Sequence, residues 1–187
     1  MLAIVPAKGL AQAKTRLAPL LAPVQRAELA AAMLASVLAA CREASAVHAT
    51  LVVTPDPELA PEEETLVDDG RGHAPAIARA LADARAARGA LVVMADLPLV
   101  RAEALDRLAG AARPVALAPA RDGGLNALAL RRPDAVEPVF GAPGSAALTA
   151  ERARAAGFAP AVVDDPRLAF DVDRAADLAL LATLVAA

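Results

Sequence analysis

Short apolar runs rich in Val, Leu and Ile alternate along this chain with longer stretches of helical character, and that alternation constrains the fold more than any other feature. Candidate strands are residues 2–6, 49–54, 90–95, 115–119, 126–130 and 161–163, and candidate helices are 24–44, 75–88, 101–111, 146–156 and 174–185. Parallel neighbours in a sheet need a crossover, and a helix is the usual one. The pattern therefore predicts an α/β fold: a Rossmann-like, mostly parallel sheet flanked by helices. Helix-start signals agree, with Pro23 before the first helix, Pro75 in the first turn of the second, Ser145 suited to cap the fourth and Asp173 the last. Residues 55–64, rich in Pro and Glu, read as a surface loop. The 187 residues fit one domain spanning 1–187, with no linker, internal repeat or heptad array.

Composition narrows the function classes. Hydrophobic residues make up 57% of the chain and aromatics only 2%, and charges or prolines interrupt every apolar run before membrane-spanning length. The N-terminal segment lacks the basic start of a signal peptide, so a cytoplasmic location is expected and no membrane partner. A formal net charge of -3 with mixed signs offers no basic stripe for a nucleic-acid backbone, and stacking platforms are lacking; a single nucleotide remains a good partner. Cys41, the one cysteine, rules out an internal disulfide and a cysteine-rich zinc site and reads as a core thiol.

In open α/β sheets ligands gather beyond the carboxyl ends of the strands, where loops converge and helix N-termini present free N–H groups. The polar residues of interest fall there. After the first strand, Pro6-Ala7-Lys8-Gly9 and Lys14-Thr15-Arg16 supply three cations suited to a triphosphate, with Lys a point charge and Arg a bidentate fork. A solvated basic loop is the alternative, and the Walker ending is missing. Asp96 closes an apolar strand; it suits a Mg²⁺ ion on phosphate oxygens, or caps a turn. Asp171 and Asp173, two apart, share a side if the segment is extended, so both could reach one cation, although Asp173 is also placed to cap a helix. Asp122-Gly123-Gly124-Leu125-Asn126 and Gly141-Ala142-Pro143-Gly144-Ser145 combine flexible backbone with donors for a phosphate or carboxylate, or are ordinary turns. His48 reads as structural, and His73 is a candidate for the nucleotide pocket. No serine sits on a nucleophile elbow.

Taken in order, Val5-Pro6-Ala7-Lys8-Gly9, Lys14-Thr15-Arg16-Leu17-Ala18, Asp96-Leu97-Pro98-Leu99, Asn126-Ala127-Leu128, Phe140-Gly141 with Gly144-Ser145, and Phe170-Asp171-Val172-Asp173 resemble the successive blocks of one family. It is the 2-phospho-L-lactate or phosphoenolpyruvate guanylyltransferases of coenzyme F-420 biosynthesis, which share a GT-A-like nucleotidyltransferase fold with the molybdenum-cofactor guanylyltransferases. The resemblance implies GTP as donor, Mg²⁺ as cofactor and pyrophosphate as product, with one or two ions. It assigns Pro6, Ala7, Lys8, Gly9, Lys14, Arg16 and His73 to the nucleotide, with Lys8, Arg16 and Asp96 catalytic. Asp96, Asp171 and Asp173 fall to the metal, and Leu125, Asn126, Gly141, Gly144 and Ser145 to the acceptor: 2-phospho-L-lactate, phosphoenolpyruvate or 3-phosphoglycerate. A homodimer and a downstream transferase of the pathway are the protein partners expected.

The chain departs from the family pattern at several places. Leu125 stands where a threonine is usual, the glycine stretch before it is shortened, and a residue is added between Gly141 and Ser145. A histidine is replaced near Thr149, and Gly72-His73-Ala74 stands for Gly-Leu-Asn. These changes cluster on acceptor and base recognition. They keep two rival readings open, a molybdenum-cofactor-type nucleotidyltransferase and a non-catalytic nucleotide-binding module.

Overall fold

The computed structural model describes residues 1–10, 13–68, 72–83 and 88–186. Among them, seven strands form one sheet in the order β3-β2-β1-β4-β6-β5-β7. The strands are β1 Leu2–Pro6, β2 Ala49–Thr54, β3 Glu64–Val67, β4 Ala90–Val93, β5 Val115–Pro119, β6 Leu125–Leu130 and β7 Ala161–Val162. The helices are α1 Pro23–Glu43, α2 His73–Asp83, α3 Ala102–Ala111, α4 Ser145–Ala155, α5 Pro166–Ala169 and α6 Ala175–Ala186.

β1 pairs in parallel with both β2 and β4, β2 with β3, and β5 with β7, whereas β6 runs antiparallel to β4 and β5. The central strands are largely apolar because helices cover both faces. On one face Ala3, Val5 and Leu91 pack with Val37, Leu38 and Cys41 of α1 and Leu105 and Leu108 of α3. On the other, Ile4, Val92 and Leu128 meet Ile77 and Leu81 of α2 and Ala150 and Ala153 of α4. By length and composition alone α1 could cross a membrane, contrary to the sequence reading; here its buried stripe from Met33 to Cys41 forms part of the core. Burial pushes the Cys41 thiol up to about 12, with Glu63 adding to it, as an unreactive core thiol requires.

Most expected elements stand within a residue or two of their predicted limits; the second helix ends at Asp83, and 84–87 lie outside the described residues. The expected loop 55–64 instead holds a 3₁₀ turn, Pro57–Leu59, and leads into β3. β3 escapes a sequence search because it is an edge strand paired on one side only, with half-exposed polar residues breaking the apolar run. Two expected caps are not made. α4 opens from Gly144 in the left-handed region, and the buried Ser145 is its first residue with no side-chain cap bond. At α6, Asp177 in the first turn accepts from the backbone N–H groups of Asp173 and Arg174, which leaves the Asp173 side chain for other partners.

The short helix α5, which the sequence pattern also misses, is held in place from α3. The Asp165 carboxylate caps α5 by accepting from Arg167 N at 2.9 Å, and it also accepts from the Arg107 guanidinium of α3. Burial alone would raise its pKa. The bonds from Arg107 and Arg167 N, with the charges of both arginines, outweigh that and hold it below the usual carboxylate range. A depressed folded-state pKa means the stabilisation is present above the unfolded value of about 3.9 and is lost as pH falls through the folded one. Asp165→Ala is expected to lower unfolding free energy by about 2 kcal/mol at pH 7 in urea titrations. The deficit should shrink below about pH 4 as the wild-type carboxylate protonates. An unchanged deficit in acid would show that the bonds lost are not those of a charged carboxylate.

Candidate active site

A cleft of about 660 Å³ opens beyond the carboxyl ends of β1 and β4. Because β6 runs backwards, its first residues, Leu125 and Asn126, reach this same edge, where Asn126 O accepts from Met94 N at 2.9 Å. Behind the cleft Leu17, Met33, Phe170 and Val172 form a small buried cluster, with Leu178 and Leu181 of α6 against it. The cluster decides which way the acidic segment faces. With Phe170 and Val172 turned inward, the alternation of extended chain turns Asp171 and Asp173 to the cleft. Arg121 fixes the segment further, donating its N–H to Ala169 O and laying its guanidinium 5.2 Å from the Phe170 ring centre.

Asp96, Asp171 and Asp173 each bring one carboxylate oxygen to within 4.8 Å of the other two. Lys14 sits among them: its Nζ donates to Asp96 Oδ2 at 2.6 Å and to Asp173 Oδ1 at 2.8 Å. Its backbone is left-handed (φ 51°, ψ 41°), a conformation costing a non-glycine residue roughly 1–2 kcal/mol, and it opens the 3₁₀ turn Thr15–Leu17 anchored by the buried Leu17. Arg16 follows, donating from Nη1 to Asp173 Oδ2 at 3.0 Å. The two cations differ in setting, since the Lys14 side chain is 9% exposed and that of Arg16 66%.

These contacts divide the ionisation of the site. Burial would lower the Lys14 pKa, but Asp96 and Asp173 together outweigh it, and the net shift is upward; the lysine stays charged. Asp173 is also buried enough to favour its neutral form, yet the Lys14 hydrogen bond and the charges of Lys14, Arg16 and Lys8 pull its pKa down. Asp171 goes the other way: burial raises its pKa, Asp96 and Asp173 add to that, and the Asn126 bond opposes it. Asn126 Nδ2 lies 3.3 Å from Asp171 Oδ1 and 3.0 Å from Leu168 O of α5. The clamp at Asp165 thus reaches the carboxylates through α5.

Of the residues read from sequence, Pro6, Ala7, Lys8, Lys14, Arg16, Asp96, Leu125, Asn126, Gly141, Ser145, Asp171 and Asp173 all line this one cleft. Gly9 and Gly144 are not among the lining; Gly9 lies beside Pro55, and Gly144 makes the turn into α4 at φ 68°. The side chain of His73 lies outside the described residues. The exposed His48 gives its backbone N–H to Met1 O at the opposite end of the sheet. Thr149 is buried on α4 and bonds Val139 N at 2.9 Å, so it ties a loop down rather than facing the cleft. Sequence reading missed Met33, Leu34, Leu59 and Met94, which give the cleft its apolar wall, and Arg174, which adds a cation beside Asp173. Only Arg174 carried a signal, its adjacency to the acidic pair.

The same chain path recurs in solved structures. One is a putative nucleotide-diphospho-sugar transferase from Desulfovibrio desulfuricans G20, with TM-score 0.78 and 20% identity over 96% of this chain and 85% of that one. Another is a nucleotidyl transferase from Methanothermobacter thermautotroptrophicus, with TM-score 0.66 and 17% identity over 96% and 94%. At that identity the likeness establishes the fold. Sequence relatives add the class. A phosphoenolpyruvate guanylyltransferase of Sphaerobacter thermophilus is 42% identical over 97% of this chain and 92% of its own. A 2-phospho-L-lactate guanylyltransferase of Haloarcula marismortui is 41% identical over 94% and 82%. With fold and relatives together, the chain is a nucleotidyltransferase. Residues 1–183 match the family model described as guanylyl transferase CofC like, and the chain belongs to that family.

The Asn126 contact gives a direct check of the site's electrostatics. Its bond to Asp171 lowers that carboxyl's pKa against the other influences, so Asn126→Ala should raise it further, read by carboxyl ¹³C titration. The substitution also leaves Leu168 O without its side-chain donor and should lower stability by about 1–2 kcal/mol. A downward or absent shift at Asp171 would show that Asn126 does not bond that oxygen in solution.

Proposed function

We propose that this protein transfers GMP from GTP to the phosphate of a small phosphorylated carboxylic acid, releasing pyrophosphate, as a step of coenzyme F-420 biosynthesis in the cytoplasm. The observation that carries the reading is the meeting of three carboxylates with Lys14 and Arg16 in one cleft at the carboxyl edge of the sheet. The names of the relatives support phosphoenolpyruvate or 2-phospho-L-lactate as the acceptor, with 3-phosphoglycerate as the further candidate.

In this reading a phosphate oxygen of the acceptor attacks the α-phosphorus of GTP in line. A new P–O bond forms there while the bond to the bridging oxygen breaks, and pyrophosphate leaves with that electron pair. No protein nucleophile is required, because such transfers rest on positioning and on neutralising charge. Lys8, Lys14 and Arg16 hold the triphosphate, with Lys14 and Arg16 nearest the carboxylates. Pro6, Ala7 and the apolar wall exclude water from one side of the donor. Leu125, Gly141 and Ser145 bound the acceptor, Gly144 turns the chain into α4, and Asn126 fixes Asp171.

Asp96, Asp171 and Asp173 would hold Mg²⁺, which supplies charge neutralisation on the phosphates when bound. The donors fit: all are carboxylate oxygens, the ligand type this ion prefers.

Pyrophosphate release with GTP, Mg²⁺ and each of the three acids, repeated with the other nucleoside triphosphates, tests the reading. Acceptor-dependent release with GTP is expected. GTP binding with no release for any acid would point instead to a nucleotide-binding module. Asp171→Ala should lower turnover on the order of 100-fold or more with the fold retained by circular dichroism. Near-normal turnover would remove Asp171 from the metal role.

A further inference from the structure

Two of the three carboxylates already hold a cation of the chain itself. Lys14 Nζ lies 2.6 Å from Asp96 and 2.8 Å from Asp173, bridging them across the cleft floor. A divalent ion seated on the same group needs oxygens from these two residues at roughly 2.1 Å, closer than an ammonium holds them. Both cations cannot occupy that place, because like charges brought that close repel strongly even in a partly screened protein setting.

Resting on the metal role proposed above, we propose that Lys14 is an internal competitor for the divalent-ion site, which couples ion uptake to triphosphate binding. Burial supplies the coupling. Arg16, two-thirds exposed, can swing into water at little cost. Lys14, 9% exposed, has no comparable escape, and an unpaired ammonium in that setting is strongly disfavoured. It leaves Asp96 and Asp173 when another anion comes within reach, and a triphosphate in the adjoining cleft is such an anion. The ion therefore binds weakly alone and firmly with nucleotide, and by linkage each ligand strengthens the other to the same extent. This goes beyond a phosphate contact for Lys14, since it gives the residue a role before any phosphate arrives.

The test uses Mn²⁺ alone, titrated by electron paramagnetic resonance into the wild type, Lys14→Met, Arg16→Met and the pair Lys14→Met with Asp171→Asn. Lys14→Met is expected to bind Mn²⁺ about ten-fold or more tightly than the wild type. Arg16→Met should gain much less, and Asp171→Asn should reverse the gain. Thermal melting provides a second readout: Lys14→Met should melt lower without metal, its carboxylates lacking their cation, and should be raised more than the wild type by a given Mn²⁺ concentration. Guanosine 5′-[α,β-methylene]triphosphate should then improve Mn²⁺ affinity, beyond the ion's own affinity for the analogue, more in the wild type than in Lys14→Met. Folded Lys14→Met that binds Mn²⁺ no better than the wild type overturns the proposal, as does a gain that survives Asp171→Asn or an equal effect of the analogue on both. Acceptor-dependent pyrophosphate release by the wild type judges the enzymatic reading separately, because it does not require Lys14 to compete with the ion.

Discussion

Three carboxylates within 4.8 Å of one another, half-buried, repel strongly, and the local structure of the cleft is organised around relieving that repulsion. Lys14 supplies the main relief, and the chain accepts a left-handed residue to deliver it. The backbone strain is tolerable because Leu17, three residues on, is fully buried and pins the turn. Relief is uneven, however. Asp173 has Lys14, Arg16 and the nearby Lys8, whereas Asp171 has the neutral Asn126, and their pKa values are pushed in opposite directions as a result. Asp171 is thus held less firmly in its charged form than Asp173.

The reversed strand β6 makes the arrangement possible. In an all-parallel sheet the residues opening a strand lie at the amino edge, far from the ligand side; reversing one strand brings its opening residues to the carboxyl edge. Asn126 thereby joins Asp96, which follows β4, and the segment 170–173, which follows α5. The clamp from Asp165 through Leu168 O to Asn126 then fixes the acidic segment from behind. Positioning of Asp171 thus draws on β6 and α5, elements that contribute none of the carboxylates themselves.

This division explains what could be read from the sequence. Strands buried on both faces leave continuous apolar runs, so β1, β2, β4, β5 and β6 were legible, while the exposed edge strand β7 showed only as a short Ala-Val-Val run; the rule that ligands collect at carboxyl edges located the charged residues. The two-residue spacing of Asp171 and Asp173 was sufficient to place both on one side, because their neighbours Phe170 and Val172 are apolar. What stayed illegible depends on tertiary contacts. β3 has no apolar period of its own, α5 is a single turn held by Arg107 from another helix, and the helix caps went to Gly144 and Asp177 once Asp173 was claimed by Lys14 and Arg16. Met33 and Met94 look like core residues in sequence, and only the fold reveals that they border the cleft.

Leu125 and Thr149, two of the departures from the family pattern, sit apart from the charged network of the cleft. On the charged side several residues are bound to one another: Lys14 to two aspartates, Arg16 to Asp173, Asn126 to Asp171. Replacing Lys14 strands the half-buried Asp96, at a cost of about 1–3 kcal/mol or more for charged groups. Among the described residues, Leu125 and Thr149 belong to no such network. Leu125 packs against other apolar residues, and Thr149 satisfies its hydroxyl on the backbone of Val139, so each substitution is absorbed locally. A chain built this way can change Leu125 or Thr149 singly while its paired charges stay fixed.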